Sequence, residues 1–474
     1  MACYLFPFEK VKQGGKIVLY GAGTVGQQFL HQLVSTGYAT VVAMVDKNWE
    51  NYDGVFPVLI GPESLNKLNF AVAVISVQNQ DVAETIAREL VQVWRIAPRK
   101  IVMGYARKYE IPSLIYPKPK SLDSNALSFQ REGYIPIALY MCCGMGDTLV
   151  IKRKMEELMG WDSRLLLDVW VPEKLVEAVR SFYRNAFGGR INAIRGEGNL
   201  GYEWAKRKYA ISLKNAGDLC VDYINEEYFH REGYLLDKFK RFQEERKEYG
   251  LFSVTENVLH FRRCEIDGYW AYTSCNRYSG FDVEDYHTDI PMDMNYREKY
   301  IALGLEANYI TMNFGFDTVA VGRGNLQAKA WPLNYFSQLT RLIKKKWSVQ
   351  LVQVGGADFP HIDGCDHYYL GKSLELVKYI LQGAKLHIDI EGGLVHLATQ
   401  LGTKCAVMFG PTPMHYYGYR DNINIDAGGK CTNCYWLVPN HYACYRRMEK
   451  PECMHDITPQ RVIEKIEGWL EINL

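Results

Sequence analysis

Short apolar runs alternate with amphipathic stretches over the first 111 residues. Lys16–Tyr20 is mostly apolar and of strand length, and Phe29, Leu30 and Leu33 behind it recur at helical spacing. Further apolar runs at residues 41–45, 70–77 and 100–104 predict strands, with a helix at residues 82–94. Strands that alternate with helices pair in parallel, so residues 1–111 are predicted to form a Rossmann-like α/β domain.

The remaining chain repeats this pattern after residues 112–133, a Pro-containing segment without periodicity that is predicted to be a linker. Strands are predicted at Ile135–Met141, 165–171, 209–213, 219–223, Tyr309–Asn313, 349–353, Leu386–Ile390 and Cys405–Phe409, and helices at residues 149–155, 173–182, 233–249, 332–345, 374–382 and 394–401. This order predicts two further Rossmann-like halves, residues 134–308 and 309–474, that face each other across a cleft.

Length and charge narrow the class of protein. The 474 residues fit about three domains. Because 55 Lys and Arg residues balance 54 Asp and Glu residues, the net charge of +1 gives no general attraction to nucleic acid or to anionic lipid. The apolar runs are far shorter than the about 20 residues that span a bilayer, and no secretion signal is visible. We therefore expect a cytoplasmic protein with no membrane span and no nucleic-acid partner.

A glycine-rich loop follows the first predicted strand. Gly21, Gly23 and Gly26 form the pattern G-x-G-x-x-G between a strand and a helix, and Asp46 ends the next strand. In a dinucleotide site, such glycines permit a tight turn and the approach of a pyrophosphate, and the acidic residue holds a ribose hydroxyl. NAD(P) is therefore a candidate cofactor. The same glycines also serve merely to build the turn, which leaves a structural or sensing module as the alternative.

A second glycine-containing helix start lies near the other end of the chain. Gly392 and Gly393 follow the strand Leu386–Ile390 and open a helix that carries His396 in its first turn. Free backbone N–H groups and the helix dipole favour an anion at such a position. The alternative is a plain glycine turn with a histidine in the core. Lys329, upstream, is a candidate to approach the same anion as a point charge.

Several short motifs occur together in this part of the chain. They are G-M-G-D at 144–147, K-A-W-P at 329–332, L-G-K-S-L at 370–374, E-G-G-L-V-H-L-A at 391–398 and F-G-P-T at 409–412. In this order they resemble glycosyltransferase family 9, which includes the lipopolysaccharide and autotransporter heptosyltransferases. The resemblance runs from residue 134 to the C-terminus. It implies a GT-B fold and an inverting transfer that uses no metal ion.

The resemblance also implies roles for individual residues. Asp147 matches the proposed general base on the acceptor side, and Lys329 matches a residue that binds the leaving diphosphate. The remaining donor-binding positions are Glu391, Gly392, Gly393, Leu394, His396 and Thr412. Glu391 stands where family members often have Asp, near a sugar or ribose hydroxyl. The implied donor is a nucleotide-diphosphate sugar of the ADP-heptose type, and the acceptor is a protein or a glycan or lipid.

The match has gaps that keep other functions open. Residues 187–308, where acceptor contacts usually lie, match only faintly, and residues 322–325 replace the usual segment before K-A-W-P. Asp147 has a structural alternative, because Asp is also a good helix cap. An NAD(P)-dependent enzyme that modifies sugar nucleotides and a non-catalytic binding protein remain alternatives, and the oligomeric state is open, with a homo-oligomer among the options.

Four cysteines near the C-terminus have the spacing C-x2-C-x9-C-x8-C. Cys431, Cys434, Cys444 and Cys453 lie within a stretch that we expect to form a small subdomain over residues 428–456. Four thiolates make a tetrahedral site for Zn or Fe, with Zn as the default and iron suggested by the family resemblance. His441 and His455 are alternative ligands. Ordinary buried thiols without a metal ion are the structural alternative.

Overall fold

The chain forms two compact units. The computed structural model describes residues 3–7, 10–36, 38–51, 58–103, 107–109, 133–141, 144–215, 218–229, 233–248, 264, 267–315, 328–429, 431–432, 434, 444 and 448–474. One unit holds the described residues before position 116, and the other holds those from Gly133 onward. The predicted linker at 112–133 lies almost wholly outside the described residues.

The first unit is built on a five-stranded parallel sheet with the order β4-β3-β2-β5-β6. The strands described in this unit are β1 (Cys3–Leu5), β2 (Lys16–Tyr20), β3 (Thr40–Val45), β4 (Leu59–Ile60), β5 (Val72–Ile75), β6 (Ile101–Met103) and β7 (Arg107–Tyr109), and its helices are α1 (Thr24–Thr36) and α2 (Gln80–Gln92). Strands β1 and β7 form a separate two-stranded antiparallel sheet. The glycine loop therefore leaves the carboxyl end of the central strand, as the sequence predicts.

The second unit contains two α/β sheets. The first has the order β10-β9-β8-β11-β12 and is parallel except for the hairpin of β11 and β12. Its strands are β8 (Ile135–Met141), β9 (Leu165–Trp170), β10 (Ile191–Arg195), β11 (Ile211–Asn215) and β12 (Leu219–Ile224), and its longer helices are α3 (Met145–Met159), α4 (Val176–Phe182), α5 (Gly198–Ala205) and α6 (Gly233–Glu248). The antiparallel edge is a departure from the all-parallel sheet that the alternation predicts.

The second sheet of this unit is wholly parallel, with the order β15-β14-β13-β16-β17-β18. Its strands are β13 (Tyr309–Asn313), β14 (Gln350–Gly355), β15 (His367–Leu370), β16 (Leu386–Ile390), β17 (Cys405–Phe409) and β18 (Ile423–Asp426), and its longer helices are α7 (Leu333–Lys346), α8 (Leu374–Gly383), α9 (Gly393–Gln400) and α10 (Pro459–Asn473). One-turn helices lie at Arg297–Ile301, Met414–Tyr417 and Glu452–His455.

Burial explains why the central strands were readable from the sequence. Every residue of β8, β13, β16 and β17 is buried, because helices cover both faces of a parallel sheet. The predicted α/β class is confirmed, and the second unit has the paired sheets of a GT-B fold. Among the described residues, no helix is both long and apolar enough to cross a membrane.

Candidate active site

The helix start after β8 carries the predicted general base. Gly144 ends the loop in extended backbone, and Asp147 is the third residue of α3. The Asp147 Oδ2 atom accepts a hydrogen bond of 2.9 Å from the Gly144 N–H. The carboxylate therefore caps its own helix, which is the structural role that the sequence left open for Asp147. Capping occupies one side of the carboxylate and is compatible with a role in proton transfer. Cys142 and Cys143, in the same loop, lie outside the described residues.

A charged cluster lies at the carboxyl end of β16. Glu391 Oε2 accepts a hydrogen bond of 2.5 Å from Lys329 Nζ, and Glu391 Oε1 lies 3.7 Å from His396 Nε2. Glu391 and His396 are both buried, and the Lys329 side chain is 19% exposed. Glu391 thus contacts both side chains that are candidates to bind the diphosphate, Lys329 and His396. Its predicted contact with a sugar or ribose hydroxyl stays a prediction.

Two glycines let the starts of α3 and α9 meet. A Cβ atom at Gly146 would lie 2.3 Å from Cδ2 of the His396 ring, and one at Gly393 would lie 3.2 Å from the Met145 Cβ atom. A separation of 2.3 Å is far inside van der Waals contact, so the His396 ring lies directly on the backbone of α3. The two halves of the second unit therefore bring their helix starts together, and Asp147 and His396 with them.

Electrostatics couples Asp147 to this cluster. Burial raises the pKa of Asp147; Glu391 adds to the rise, and His396, the Gly144 N–H and Lys329 oppose it. A carboxylate with a raised pKa is a better proton acceptor near neutral pH. Burial also opposes ionisation of Glu391, but Lys329 and His396 outweigh it and lower the pKa of Glu391 to about 2. The site therefore holds one carboxylate that is suited to accept a proton and one that stays charged.

The other donor-binding candidates lie at the same sheet edge. Gly392 caps α9 with extended backbone, and the half-buried Leu394 packs on the core below it. Thr412 is buried in the loop after β17, the strand that pairs with β16. Trp331 lies two residues after Lys329. Its Nε1 donates a hydrogen bond of 2.7 Å to the Ile457 carbonyl, which fixes this part of the motif. The replaced segment 322–325 lies outside the described residues.

Sequence reasoning missed a group of polar side chains behind His396. The His396 Nδ1 atom lies 2.7 Å from the Tyr419 hydroxyl, which is hydrogen-bonded in turn to the Tyr272 hydroxyl. The side chain of Gln400 donates to Tyr272 across 3.3 Å. Tyr272 precedes β13 in the chain and Tyr419 follows β17, so no local pattern links them. The high tyrosine content, 33 residues, was the one signal in the sequence.

The predicted dinucleotide loop has the expected backbone. Gly21 has φ = +119°, which favours glycine, and a Cβ atom at Gly26 would lie 1.8 Å from the Gly21 carbonyl oxygen. Gly23 is exposed, and a Cβ atom at this position would have no atom within 4 Å. The Asp46 Oδ2 atom accepts a hydrogen bond of 2.8 Å from the Ala22 N–H. The turn therefore needs two of its glycines for structural reasons, and the third leaves room at the start of α1.

A cavity of about 400 Å³ opens beside this loop within the first unit. It is lined by Tyr20, Gly21, Asp46, Lys47, Asn48, Val77, Asp81, Val82, Thr85 and Ile86. The buried hydroxyl of Tyr20 has no hydrogen-bond partner among the described residues. Burial raises the pKa of this phenol to about 12, and Glu89, Asp46 and Glu63 add to the rise. The cavity thus combines an apolar wall with a few polar groups, as small-molecule sites do.

The C-terminal cysteines are free thiols that influence one another. Cys434, Cys444 and Cys453 are buried, and Cys431 is half-buried. A hydrogen bond with Cys431 raises the pKa of Cys453, and burial and the other two cysteines add to the rise. However, in the part of the chain that the structure describes, no three or more His, Cys, Asp or Glu side chains are arranged to hold a metal ion. The predicted metal site and its subdomain therefore stay predictions, and His441 lies outside the described residues.

Comparison with known proteins confirms the resemblance to heptosyltransferases. Lipopolysaccharide heptosyltransferase 1 of Pseudomonas aeruginosa is 25% identical over 158 residues, which are 30% of this chain and 44% of that protein. The chain thus spans less than half the length of this curated relative. No family model matches the chain. This identity over this length shows a likeness and does not assign an activity.

Solved structures of similar proteins give a likeness of the same kind. ADP-heptose lipopolysaccharide heptosyltransferase II of Escherichia coli is 14% identical, with 71% of this chain and 99% of that chain covered and a TM-score of 0.43. The iron-containing dodecameric glycosyltransferase TibC of enterotoxigenic E. coli is 13% identical, with 72% and 77% covered and a TM-score of 0.46. These scores are too low to carry an argument about function, which has to come from the site itself.

Proposed function

We propose that the chain is an inverting glycosyltransferase that moves a sugar from a nucleotide-diphosphate donor to a hydroxyl of a protein or of a glycan or lipid. The single observation that carries this proposal is the meeting of the two helix starts, which brings a half-buried carboxylate, Asp147, into the field of Lys329 and His396. A base on one side, with a lysine ammonium, an imidazole N–H and the N–H groups of a helix start on the other, is what an in-line displacement at a sugar carbon requires.

The proposed reaction assigns one step to each part of the site. The acceptor oxygen attacks the anomeric carbon and gives its proton to Asp147, while the bond from that carbon to the diphosphate oxygen breaks. Negative charge grows on the leaving diphosphate, and Lys329, His396 and the N–H groups at the start of α9 stabilise it. Attack opposite to the leaving group inverts the anomeric configuration. Glu391 pairs with Lys329 before the donor binds, so the diphosphate has to compete with a buried carboxylate for this cation.

The donor class rests on the sequence motifs, and ADP-heptose is the first candidate. The direct experiment incubates the protein with a panel of nucleotide-diphosphate sugars and measures binding by thermal shift, since a ligand that binds only the folded state raises the melting temperature. Lys329→Ala should weaken binding of the stabilising donor by about 10-fold or more, because a charged hydrogen bond is worth about 1.5–3 kcal/mol. The exposed Lys345→Ala serves as the matched control. If Lys329→Ala binds the donor as tightly as wild type, the diphosphate does not bind at Lys329, and the proposal is contradicted.

We also propose that Cys431, Cys434, Cys444 and Cys453 hold one structural Zn or Fe ion. The donor set fits by its chemistry, because thiolates are preferred ligands of both metals. Coordination would draw the four sulfur atoms together, since metal binding and folding of a thiolate loop are coupled. Elemental analysis of protein purified without chelator should find about one ion per chain, and Cys434→Ser should lose it, while the isolated buried Cys365→Ser should not. Metal-free wild-type protein of full stability would exclude the site.

A second candidate function concerns the cavity of the first unit. We propose that it binds a nucleotide whose ribose hydroxyls donate to Asp46, with NAD(P) as the candidate cofactor. The cavity and the open surface at Gly23 favour binding of a nucleotide. Titration calorimetry with NAD, NADP and AMP tests this, with Asp46→Asn expected to weaken binding and Glu84→Gln, on the exposed side of α2, as control. If none of the three ligands gives a heat of binding, the glycine loop is a structural turn and not a nucleotide site.

A further inference from the structure

A chain of hydrogen bonds runs from Gln400 through Tyr272 and Tyr419 to His396, and backbone groups set its direction. The Gln400 Oε1 atom accepts from the Thr288 N–H across 2.9 Å, and its Nε2 donates to the Tyr286 carbonyl across 2.9 Å. Because a backbone N–H only donates and a carbonyl only accepts, the orientation of this amide is fixed. Its Nε2 therefore donates to the Tyr272 hydroxyl as well.

The same reasoning extends to the histidine. The Tyr272 oxygen accepts from Gln400, and among the described residues the Tyr419 hydroxyl is the acceptor that the Tyr272 O–H meets, so Tyr272 donates to Tyr419. Tyr419 in turn has its O–H to donate to His396 Nδ1, 2.7 Å away. A ring nitrogen that accepts a hydrogen bond carries no proton, so the proton of the neutral ring lies on Nε2. Nε2 is the nitrogen that faces Glu391 across 3.7 Å.

We propose that Tyr419 is a positioning residue that fixes the neutral form of the His396 ring as the tautomer with its proton on Nε2, directed toward the diphosphate site. Tyr272 and Gln400 set the direction of the hydrogen bonds that lead to Tyr419. This inference rests on the proposed function, in which the leaving diphosphate needs a donor at that place. The His396 ring also packs against the backbone at Gly146, which fixes the plane of the ring, while the bond from Tyr419 fixes the position of its proton. A fixed donor at the leaving group stabilises charge without reorganisation during the reaction.

The first test observes the ring directly. The protein is labelled with ¹⁵N-histidine, and long-range proton–nitrogen spectra are recorded at pH 8, where His396→Asn identifies the resonance by its absence. We expect a neutral ring with the proton on Nε2 and a hydrogen-bonded Nδ1. In Tyr419→Phe the Nδ1 resonance should move downfield, as for a ring nitrogen without a hydrogen bond. A proton on Nδ1 in wild type, or a Tyr419→Phe spectrum identical to wild type, would overturn the inference.

The second test separates positioning from stability. Tyr419→Phe should lower kcat of sugar transfer by about 10- to 100-fold, the range of one orienting hydrogen bond, with KM for the acceptor unchanged. Tyr309→Phe removes an equally buried hydroxyl that bonds the Ile380 carbonyl at the opposite end of β13, and should leave kcat at the wild-type value. A Tyr419→Phe enzyme with wild-type kcat would contradict the inference. Wild-type protein that transfers no sugar would instead contradict the proposed function, while the spectra still report on the ring.

Discussion

At the residue scale, two carboxylates of similar ordinary pKa are driven in opposite directions. The pKa of Asp147 rises because burial outweighs the opposing effects of His396, the Gly144 N–H and Lys329, whereas that of Glu391 falls to about 2 because Lys329 and His396 lie beside it. Such a separation of pKa values assigns roles, one group exchanging protons and the other holding charge. The sequence indicated both residues through their motifs. It did not indicate that Glu391 pairs with Lys329, since 62 positions separate them and no periodicity links them.

Glu391 should make the stability of the protein depend on pH in acid. Its pKa is lower in the folded state than in the unfolded chain, so its contribution is present above about pH 4.5 and is lost as the pH falls toward 2. This contribution is on the order of 3 kcal/mol. Glu391→Gln should therefore be less stable than wild type at pH 7, with the difference in free energy of unfolding shrinking below pH 4.5, as urea titrations would measure. Glu464→Gln, on the exposed face of α10, should show no such trend.

At the scale of elements, the buried central strands were predicted closely, and three edge strands of the second unit were missed. Lys16–Tyr20, Ile135–Met141, Tyr309–Asn313, Leu386–Ile390 and Cys405–Phe409 have the predicted bounds. The edge strands β10, β15 and β18 are only half-buried and mix polar with apolar residues, so they leave no continuous apolar run. The hairpin of β11 and β12 was predicted as two strands, but the pattern of apolar residues does not encode antiparallel pairing.

The contact between the helix starts is also a property of elements, and Gly146 tests it. Because a Cβ atom at Gly146 would lie 2.3 Å from the His396 ring, Gly146→Ala has to displace a buried ring that Tyr419 and Glu391 hold in place. We expect donor binding to fall by at least about 10-fold and the melting temperature to drop. Gly468→Ala in α10, where no atom lies within 4 Å, should raise stability by up to about 1 kcal/mol. Unchanged donor binding in Gly146→Ala would contradict the contact.

At the scale of the whole molecule, the candidate transferase residues all lie in the second unit. The sequence predicted an additional Rossmann-like domain at the N-terminus, and the structure contains a separate compact unit there. Its boundary near residue 111 stays a prediction, because the segment that would contain it lies outside the described residues. A chain that lacks residues 1–111 should still melt cooperatively and should still gain thermal stability from the sugar donor. A truncated protein that folds but no longer responds to the donor would show that the first unit contributes to the site.

The central claim, that Asp147 is the base of an inverting sugar transfer, is tested most directly by comparing transfer with donor binding in Asp147→Asn. We expect transfer to fall by at least about 100-fold, the contribution of a general base, with donor affinity within about 2-fold of wild type. In wild type the rate should rise with pH through a pKa above the ordinary value of 3.8, and Asp282→Asn, at an exposed position, should behave like wild type. An Asp147→Asn enzyme that transfers sugar at the wild-type rate, or that loses donor binding and transfer together, would contradict the claim.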